Sequence, residues 1–333
     1  MTRTIPHGGN LHEAARRYAI AWDAWLDLST GINPHGYPVP PVPADAWRRL
    51  PETGDGFAEC AARYYGAPDA SHVLPVAGSQ AAIRALPFAL ERGTVAIAPL
   101  TYGEYAPAFA RAGHRVTTLD VARSTLPDDL THVVVVNPNN PTAERVSTST
   151  LLQWHQALNA RGGTLIVDEA FADAMPSHSL AAHTDHEGIV VLRSPGKFFG
   201  LAGVRAGFVL ARPRLLEALD EALGAWTVSG PARHAVSAAF ADTAWQHEMR
   251  VRLEHESARL AALLRAHGFD VHSTPLFAWI ADPRAAQLHD ALAQQGIWTR
   301  FFSDPASVRF GLPATHAAWA RFEACLRQAM STL

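Results

Sequence analysis

The fold of this chain is decided by one stretch: Ser194-Pro195-Gly196-Lys197-Phe198-Phe199-Gly200-Leu201-Ala202-Gly203-Val204-Arg205. It places Lys197 three residues after Ser194 and eight residues before Arg205, among small and apolar residues. The planar guanidinium of an arginine can grip a phosphate group with two parallel charge-assisted hydrogen bonds. Taken alone, however, a lysine ahead of a glycine-rich turn is more often a solvated surface residue. The segments upstream of Ser194 therefore have to show whether Lys197 belongs to a binding site or to the solvated surface.

Two apolar runs upstream end in polar residues. The β-branched run from His132 to Val136 opens into Asn137-Pro138-Asn139-Asn140-Pro141-Thr142, a pattern typical of a buried parallel strand followed by a loop. A second run, Thr164 to Val167, is followed by Asp168. Because open α/β sheets bind ligands at the carboxyl ends of their strands, Asn140 and Asp168 are candidate site residues. An ordinary Asn-Pro turn is the alternative for Asn140.

A third segment, Gly78-Ser79-Gln80, precedes a helical pattern from Ala81 to Leu90. The free amides and the dipole at a helix N-terminus attract phosphate groups, and small residues let a ligand approach the backbone. A plain helix cap is the alternative. Tyr102, a little further along, is either an aromatic that stacks on a ligand or a buried core tyrosine.

In their order over residues 77 to 205, these segments resemble the pyridoxal-phosphate (PLP) site of the aspartate-aminotransferase superfamily. The resemblance implies PLP as the cofactor, with Lys197 and Asp168 as catalytic residues: the lysine bonds the cofactor aldehyde and the aspartate contacts the pyridine nitrogen. The implied cofactor-binding residues are Gly78, Ser79, Gln80, Tyr102, Asn140, Asp168, Ser194, Lys197 and Arg205. One departure is Phe171, where many relatives carry a tyrosine whose hydroxyl contacts the phenolic oxygen of the cofactor.

Strand-like and helical runs alternate through the first two thirds of the chain, which favours an α/β fold with helices on both faces of the sheet. The resemblance implies the PLP-dependent transferase fold of fold type I, with a mainly parallel seven-stranded sheet. We expect a large PLP-binding domain over residues 30–230, in which the proline-rich segment from Ile32 to Pro51 is a loop. Residues 1–29 and 231–333 are expected to form a smaller α+β domain with an N-terminal substrate-binding arm. Its predicted elements are a helix from Trp245 to His267 and strands at Phe277 to Ala281 and Ser307 to Gly311.

The N-terminal segments narrow the expected reaction. His7-Gly8-Gly9-Asn10 followed by Gly31-Ile32-Asn33-Pro34 resembles the opening of the L-threonine-O-3-phosphate decarboxylases of cobalamin biosynthesis. Histidinol-phosphate aminotransferases share the Asn-Pro part but do not usually carry the first segment. Without the resemblance, the segment His7-Gly8-Gly9 is more typical of a flexible chain terminus. The implied substrate-binding residues here are His7, Gly8, Gly9, Asn10, Gly31, Ile32, Asn33 and Asn140.

Two arginines in the C-terminal region are candidates for anion binding. By the same resemblance, Arg309 meets the substrate carboxylate and Arg300 lies near the distal group of the substrate. Surface positions are the alternative for both. The expected reaction is decarboxylation of L-threonine O-3-phosphate to (R)-1-aminopropan-2-yl phosphate and CO₂. Transamination of a phosphorylated amino substrate such as histidinol phosphate is the alternative, because the same residues support either reaction.

Composition bounds the remaining possibilities. The 333 residues carry 28 basic and 31 acidic side chains for a net charge of -3, so no polycationic face for nucleic acid is expected. No run approaches the roughly 20 apolar residues of a membrane span, and we expect a cytoplasmic protein. Cys60 and Cys325 are far apart and the 17 histidines are scattered without ligand spacing, so no metal site is expected.

Two further expectations concern partners. The resemblance implies a homodimer, although Leu50 stands where relatives often carry a tyrosine that reaches the cofactor phosphate of the neighbouring subunit. A catalytically silent PLP-binding regulator is a rival from another class. Such regulators usually carry an attached DNA-binding segment, and the length of this chain is accounted for by the PLP fold.

Overall fold

The computed structural model of the protein describes residues 7–122 and 125–333, so the first six residues of the expected arm lie outside it. The chain divides into two compact units. The smaller unit consists of Met1–Gly36, Pro141–Ala143 and Glu248–Leu333, and the larger unit of Tyr37–Asn140 and Glu144–His247. The domain boundaries expected from the sequence stay a prediction.

The strands are, in chain order, β1 Leu26–Asp27, β2 Val73–Val76, β3 Thr94–Ile97, β4 Arg115–Thr118, β5 His132–Val136, β6 Thr164–Asp168, β7 Ile189–Arg193, β8 Gly207–Leu210, β9 His272–Thr274, β10 Phe277–Ala281, β11 Ile297–Trp298, β12 Arg300–Ser303 and β13 Ala306–Gly311.

The α-helices are α1 Leu11–Tyr18, α2 Ala44–Arg48, α3 Phe57–Tyr65, α4 Ser79–Ala89, α5 Tyr105–Arg111, α6 Thr148–Asn159, α7 Pro195–Phe198, α8 Pro213–Leu223, α9 Gly230–Ala241, α10 Thr243–Ala266, α11 Ala285–Ala293 and α12 His316–Met330. Short 3₁₀ helices lie at Trp22–Ala24, Ala70–His72, Ala172–Ala174, Pro176–His178, Ala181–His183 and Ala202–Val204.

The larger unit is built on one sheet, in which the described residues form seven strands in the order β2-β8-β7-β6-β5-β3-β4. Only β8 runs antiparallel to its neighbours, so the predicted mainly parallel seven-stranded sheet is confirmed. The central strands β5, β6 and β7 are buried along their whole length, as β-branched runs covered on both faces should be. The edge strand β4 is exposed throughout.

Register brings the ends of the central strands to one edge of this sheet. Val136, the last residue of β5, pairs with Asp168, the last residue of β6. Asp168 in turn pairs with Leu192 near the end of β7. Because parallel strands all end at the same edge, the loops that follow β5, β6 and β7 start side by side.

The helices α4, α5 and α8 pack on one face of this sheet. Their apolar side chains form a core with Val95, Val134 and Ile166 from the strands. One sequence prediction about this unit is wrong: the segment from Ile32 to Pro51 contains the helix α2 and is not loop throughout. The proline-rich sequence ahead of α2 is typical of a loop, but proline is tolerated just before a helix and does not exclude one.

The smaller unit contains an antiparallel sheet in the order β12-β13-β10-β9 and a parallel pair, β1 with β11. One face of the antiparallel sheet carries apolar residues against helices, for example Phe310, whose ring lies 6.0 Å from that of Phe322 on α12. The predicted strands near Phe277 and Ser307 and the long helix near Trp245 are confirmed as β10, β13 and α10. Among the residues that the structure describes, none of the helices combines the length and apolar character needed to span a membrane.

Candidate active site

A cavity of about 120 Å³ lies in the larger unit, where the loops after β5, β6 and β7 begin. The structure brings together in its lining every cofactor-binding residue expected from the sequence: Gly78, Ser79, Gln80, Tyr102, Asn140, Asp168, Ser194, Lys197 and Arg205. The remaining lining residues are Val136, Ala170, Phe171, Gly196, Ala202 and Ala206. The expected roles of these residues stay predictions, whereas their proximity is a fact of the fold.

One part of the cavity lining is a cluster of hydrogen-bond donors of the kinds that bind phosphate, called the donor cluster below. It joins the start of α4 to Ser194 and Arg205. The Ser194 hydroxyl donates to Oγ of Ser79, 2.9 Å away. Gly78 has a φ of 77°, and a Cβ there would lie 2.8 Å from Nη2 of Arg205. Helix N-terminal amides, two hydroxyls and a guanidinium are the groups that bind phosphate in proteins.

The Asp168 carboxylate is buried and held by one donor on each oxygen. Tyr105 donates its phenolic hydrogen to Oδ2 at 2.8 Å, and the backbone N–H of Ala170 donates to Oδ1 at 3.0 Å. Burial raises the pKa of Asp168 above its ordinary value, while the two hydrogen bonds and the charge of Lys197 oppose that rise. Asp168 was predicted from sequence and Tyr105 was not.

Tyr102 and Asn140 are held by the loops on which they lie. The Tyr102 hydroxyl donates to Oε1 of Gln80 at 2.8 Å, which ties its ring to the start of α4. Asn139 is buried; its Oδ1 accepts from the Thr101 hydroxyl at 2.6 Å and its Nδ2 donates to the carbonyl of Leu100 at 2.9 Å. Asn139 thus braces the loop that carries Tyr102 against the loop that carries Asn140.

Lys197 lies on the short helix α7, half-buried in the cavity lining. Its Nζ is 5.8 Å from the ring centroid of Phe171, which is buried. A Cβ at Gly196 would lie 2.9 Å from the Cα of Ala202, so the glycine allows α7 and the following turn to pack closely. The lysine therefore has an apolar ring beside it where many relatives carry a phenol.

A buried ionic cluster that sequence reasoning missed lies behind this lining. Arg193, the last residue of β7, donates to both Glu169 and Asp173 and lies 4.3 Å from the ring centroid of Tyr65. Burial alone would lower the pKa of Arg193, but the two carboxylates outweigh it and raise that pKa. An arginine at the end of a wholly buried strand is the sequence signal, because such a charge needs buried acidic partners.

The two predicted arginines of the smaller unit lie directly opposite each other. Arg300 on β12 pairs in register with Arg309 on β13, so both side chains leave the same face of the sheet. Burial, together with the charge of Arg300, lowers the pKa of Arg309 to about 10, so it stays charged at neutral pH. Two like charges at facing positions repel each other, an arrangement that an anion stabilises.

Ser29 connects this pair to the N-terminal arm, and sequence reasoning did not single it out. Its carbonyl accepts a hydrogen bond from Arg309, and its Oγ accepts one from the N–H of Gly9 at 2.7 Å. A Cβ at Gly8 would collide with the same carbonyl oxygen. The glycines thus let the arm approach Ser29, and the Gly9 amide is engaged within the protein.

The other predicted substrate residues also lie in the smaller unit, apart from Asn140. Asn10 caps α1, where its Oδ1 accepts from the N–H of Glu13 at 3.3 Å. Asn33 is buried, and its Oδ1 accepts from the N–H of His35 at 2.8 Å. His7 is exposed, Gly31 is buried and Ile32 is half-buried. Their contacts with a substrate stay predictions.

The fold is that of the PLP-dependent transferases of fold type I, and the chain belongs to the aminotransferase class I and II family, whose model matches residues 47–325. Within that family, the chain is 51% identical over 324 residues to the threonine-phosphate decarboxylase of Pseudomonas aeruginosa, with 97% of each chain covered. It is 42% identical over 318 residues to the threonine-phosphate decarboxylase of a Sinorhizobium species, with 94% of each chain covered. The predicted resemblance to threonine-phosphate decarboxylases is therefore confirmed.

A solved structure agrees on the fold. The histidinol-phosphate aminotransferase from Sinorhizobium meliloti, in complex with pyridoxal-5'-phosphate, superimposes with a TM-score of 0.84 at 17% sequence identity. The match covers 100% of this chain and 98% of that one. At this identity the match establishes the shared fold and carries no argument about the reaction.

Gly78→Ala tests the donor cluster. The new methyl group would displace the Arg205 guanidinium, so we expect the affinity for PLP to fall about tenfold, the equivalent of one charge-assisted hydrogen bond. Equilibrium titration of the apoprotein with PLP measures this. Gly54→Ala is the matched control, because Gly54 has a φ of 84° and open space where a Cβ would lie. Equal losses in the two variants would attribute the effect to backbone strain and contradict the assignment.

Proposed function

We propose that this protein is a PLP-dependent threonine-phosphate decarboxylase, which converts L-threonine O-3-phosphate to (R)-1-aminopropan-2-yl phosphate and CO₂. The observation that carries the proposal is the 51% identity to a threonine-phosphate decarboxylase along 97% of both chains. The His7-Gly8-Gly9-Asn10 segment supports the same choice over histidinol-phosphate aminotransferases. A role in cobalamin biosynthesis is part of the proposal by resemblance.

The residues around the cavity of the larger unit fit PLP by their chemistry. The start of α4, with Ser79, Ser194 and Arg205, offers the donors that a phosphate group takes. Lys197 offers an amine in the same lining, and Asp168 a buried carboxylate. When bound, PLP supplies an electron sink that accepts the electron pair released at the α carbon of the substrate.

Each side chain then has a defined task. Asp168 would keep a proton at the ring nitrogen of the cofactor, which its buried and doubly hydrogen-bonded carboxylate can do. Lys197 would hold the cofactor covalently between turnovers, and its Nζ could carry a proton during the reaction. Phe171 adds an apolar wall beside Nζ. Tyr102 offers a ring face for stacking.

The substrate anions are assigned to the smaller unit. Arg309 binds the carboxylate, and Arg300, His7 and Asn10 bind the phosphate. In the reaction the bond between the α carbon and the carboxylate breaks, CO₂ leaves, and a proton is added at the α carbon. Arg309 directs the reaction because its grip on the carboxylate decides which bond of the α carbon is aligned for cleavage.

We propose further that the protein acts as a homodimer through an apolar groove of about 780 Å³ on the larger unit. Trp47, Leu50 and Trp226 line this groove and are 60–69% exposed. Trp226 also has a φ of 61°, a conformation that bulky residues seldom adopt. Leu50 can contribute packing to a second copy but no hydrogen bond. Cytoplasmic location stays a prediction.

Turnover without a keto acid tests the reaction. PLP-loaded protein given L-threonine O-3-phosphate should release CO₂ and the amine in equal amounts over many turnovers. Release that stops after one turnover, with the cofactor left in its amine form, would assign the protein to the aminotransferases. Lys197→Ala should abolish both turnover and the visible absorbance of covalently held cofactor. An unchanged spectrum would contradict the role assigned to the lysine.

Arg309→Ala tests the carboxylate assignment. We expect L-threonine O-3-phosphate to bind about tenfold to 100-fold more weakly, because a charge-assisted hydrogen bond to the carboxylate is lost. Binding of the product (R)-1-aminopropan-2-yl phosphate, which has no carboxylate, should change little. Calorimetric titration of both ligands measures the difference, with Arg309→Lys as the variant that keeps the charge. Equal weakening of the two ligands would contradict the role.

A double substitution tests the dimer. Leu50→Arg with Trp226→Arg places two charges in the groove, and we expect the sedimentation velocity of a dimer to become that of a monomer at micromolar concentration. Phe88→Arg is the control, because Phe88 is 67% exposed and lies outside the groove. A monomeric parent protein, or a dimer that survives the double substitution, would overturn the proposed interface.

A further inference from the structure

We propose that Tyr105 is a positioning residue of the cofactor site, which holds the Asp168 carboxylate charged and in one orientation. The inference rests on the proposed function, since it assigns how the ring-nitrogen partner of the cofactor is kept ready. Tyr105 is the first residue of α5 and is fully buried. It is not among the described residues that line the cavity, so it reaches Asp168 from behind the lining.

The geometry fixes the orientation of the carboxylate. Oδ2 accepts from the Tyr105 hydroxyl at 2.8 Å, and Oδ1 accepts from the Ala170 N–H at 3.0 Å. One donor on each oxygen prevents the carboxylate from rotating about its Cβ–Cγ bond. The Ala170 donor lies only two residues after Asp168 in the chain, whereas the Tyr105 donor lies on the helix α5, so Tyr105 anchors Asp168 to another part of the unit.

Charge is the second reason for the assignment. Asp168 is buried at the end of β6, and burial favours its neutral form. The groups that face it are Tyr105, Tyr102, Lys197 and Glu169. Lys197 favours the charged carboxylate, but its amine would be occupied in holding the cofactor, and Glu169 favours the neutral form. Tyr105 is therefore the side chain whose support for the charge persists once the cofactor is held.

The Tyr105 hydroxyl keeps its proton at neutral pH and therefore remains a hydrogen-bond donor. Burial, the charge of Asp168 and the hydrogen bond between them raise the pKa of Tyr105 well above its ordinary value. Its ring belongs to the core that α4, α5 and α8 form with the sheet, a core that also contains Ala108 and Phe109. A phenylalanine ring would fill the same space. The hydroxyl is thus the part of the side chain that serves Asp168.

Tyr105→Phe tests the inference through three measurements: PLP affinity by titration, the pH dependence of that affinity, and thermal unfolding of the apoprotein. We expect PLP to bind about tenfold more weakly, the equivalent of one hydrogen bond to a charged group. We also expect the loss of affinity on acidification to begin at higher pH than in the parent protein, because Asp168 without Tyr105 takes up its proton more readily. Tyr37→Phe is the matched control, since that buried tyrosine donates to Asp242 outside the cavity lining.

A double-substitution cycle separates positioning from mere packing. If Tyr105 acts through Asp168, Tyr105→Phe should have no further effect on PLP affinity once Asp168→Asn is present. Additive effects in the cycle, an unshifted pH profile, or an apoprotein that no longer folds would each overturn the inference. These outcomes are distinct from failure of the proposed function, which would appear as a parent protein that does not bind PLP or does not release CO₂.

Discussion

A buried arginine that bridges two carboxylates is the interaction on which the candidate cofactor site depends. Arg193 ends β7 immediately before Ser194, and Glu169 follows β6 immediately after Asp168. Their ion pair therefore fixes the start of the segment that carries Lys197 relative to Asp168, the candidate ring-nitrogen partner. Removing one member of a buried ion pair typically costs about 3–5 kcal/mol, because the remaining charge is left without compensation. The cavity lining thus rests on a charged cluster of its own, which is out of contact with solvent.

The sheet explains why so many functional groups converge from distant parts of the chain. Val136, Asp168 and Leu192 are register partners at one edge, so the loops after them share a single cavity wall. The antiparallel strand β8 returns the chain to the start of α4. A Cβ at Gly207 on β8 would lie 2.5 Å from the N of Ser79, which shows how closely the strand approaches the donor cluster.

The sequence predicted the fold class and nine of the residues that line the cavity, because those nine lie in short local motifs. It missed residues whose roles depend on distant partners. Two of the missed residues are Tyr105, which contacts Asp168 across 63 positions, and Ser29, which contacts Arg309 across 280, and no local pattern encodes either pairing. The strand β2 was also missed, since Pro75 interrupts its pattern; as an edge strand it tolerates the proline.

The facing arginines of the smaller unit bear on the stability of the fold as well as on the binding of a ligand. Arg300 and Arg309 repel each other across neighbouring strands, and an anion bound to both would relieve that repulsion. Any ligand that binds only the folded state adds to its stability by mass action. An anion that bound both arginines would therefore shift the folding equilibrium of this unit toward the folded state, so the concentration of phosphorylated metabolites would bear on how much of the protein is folded as well as on how fast it works.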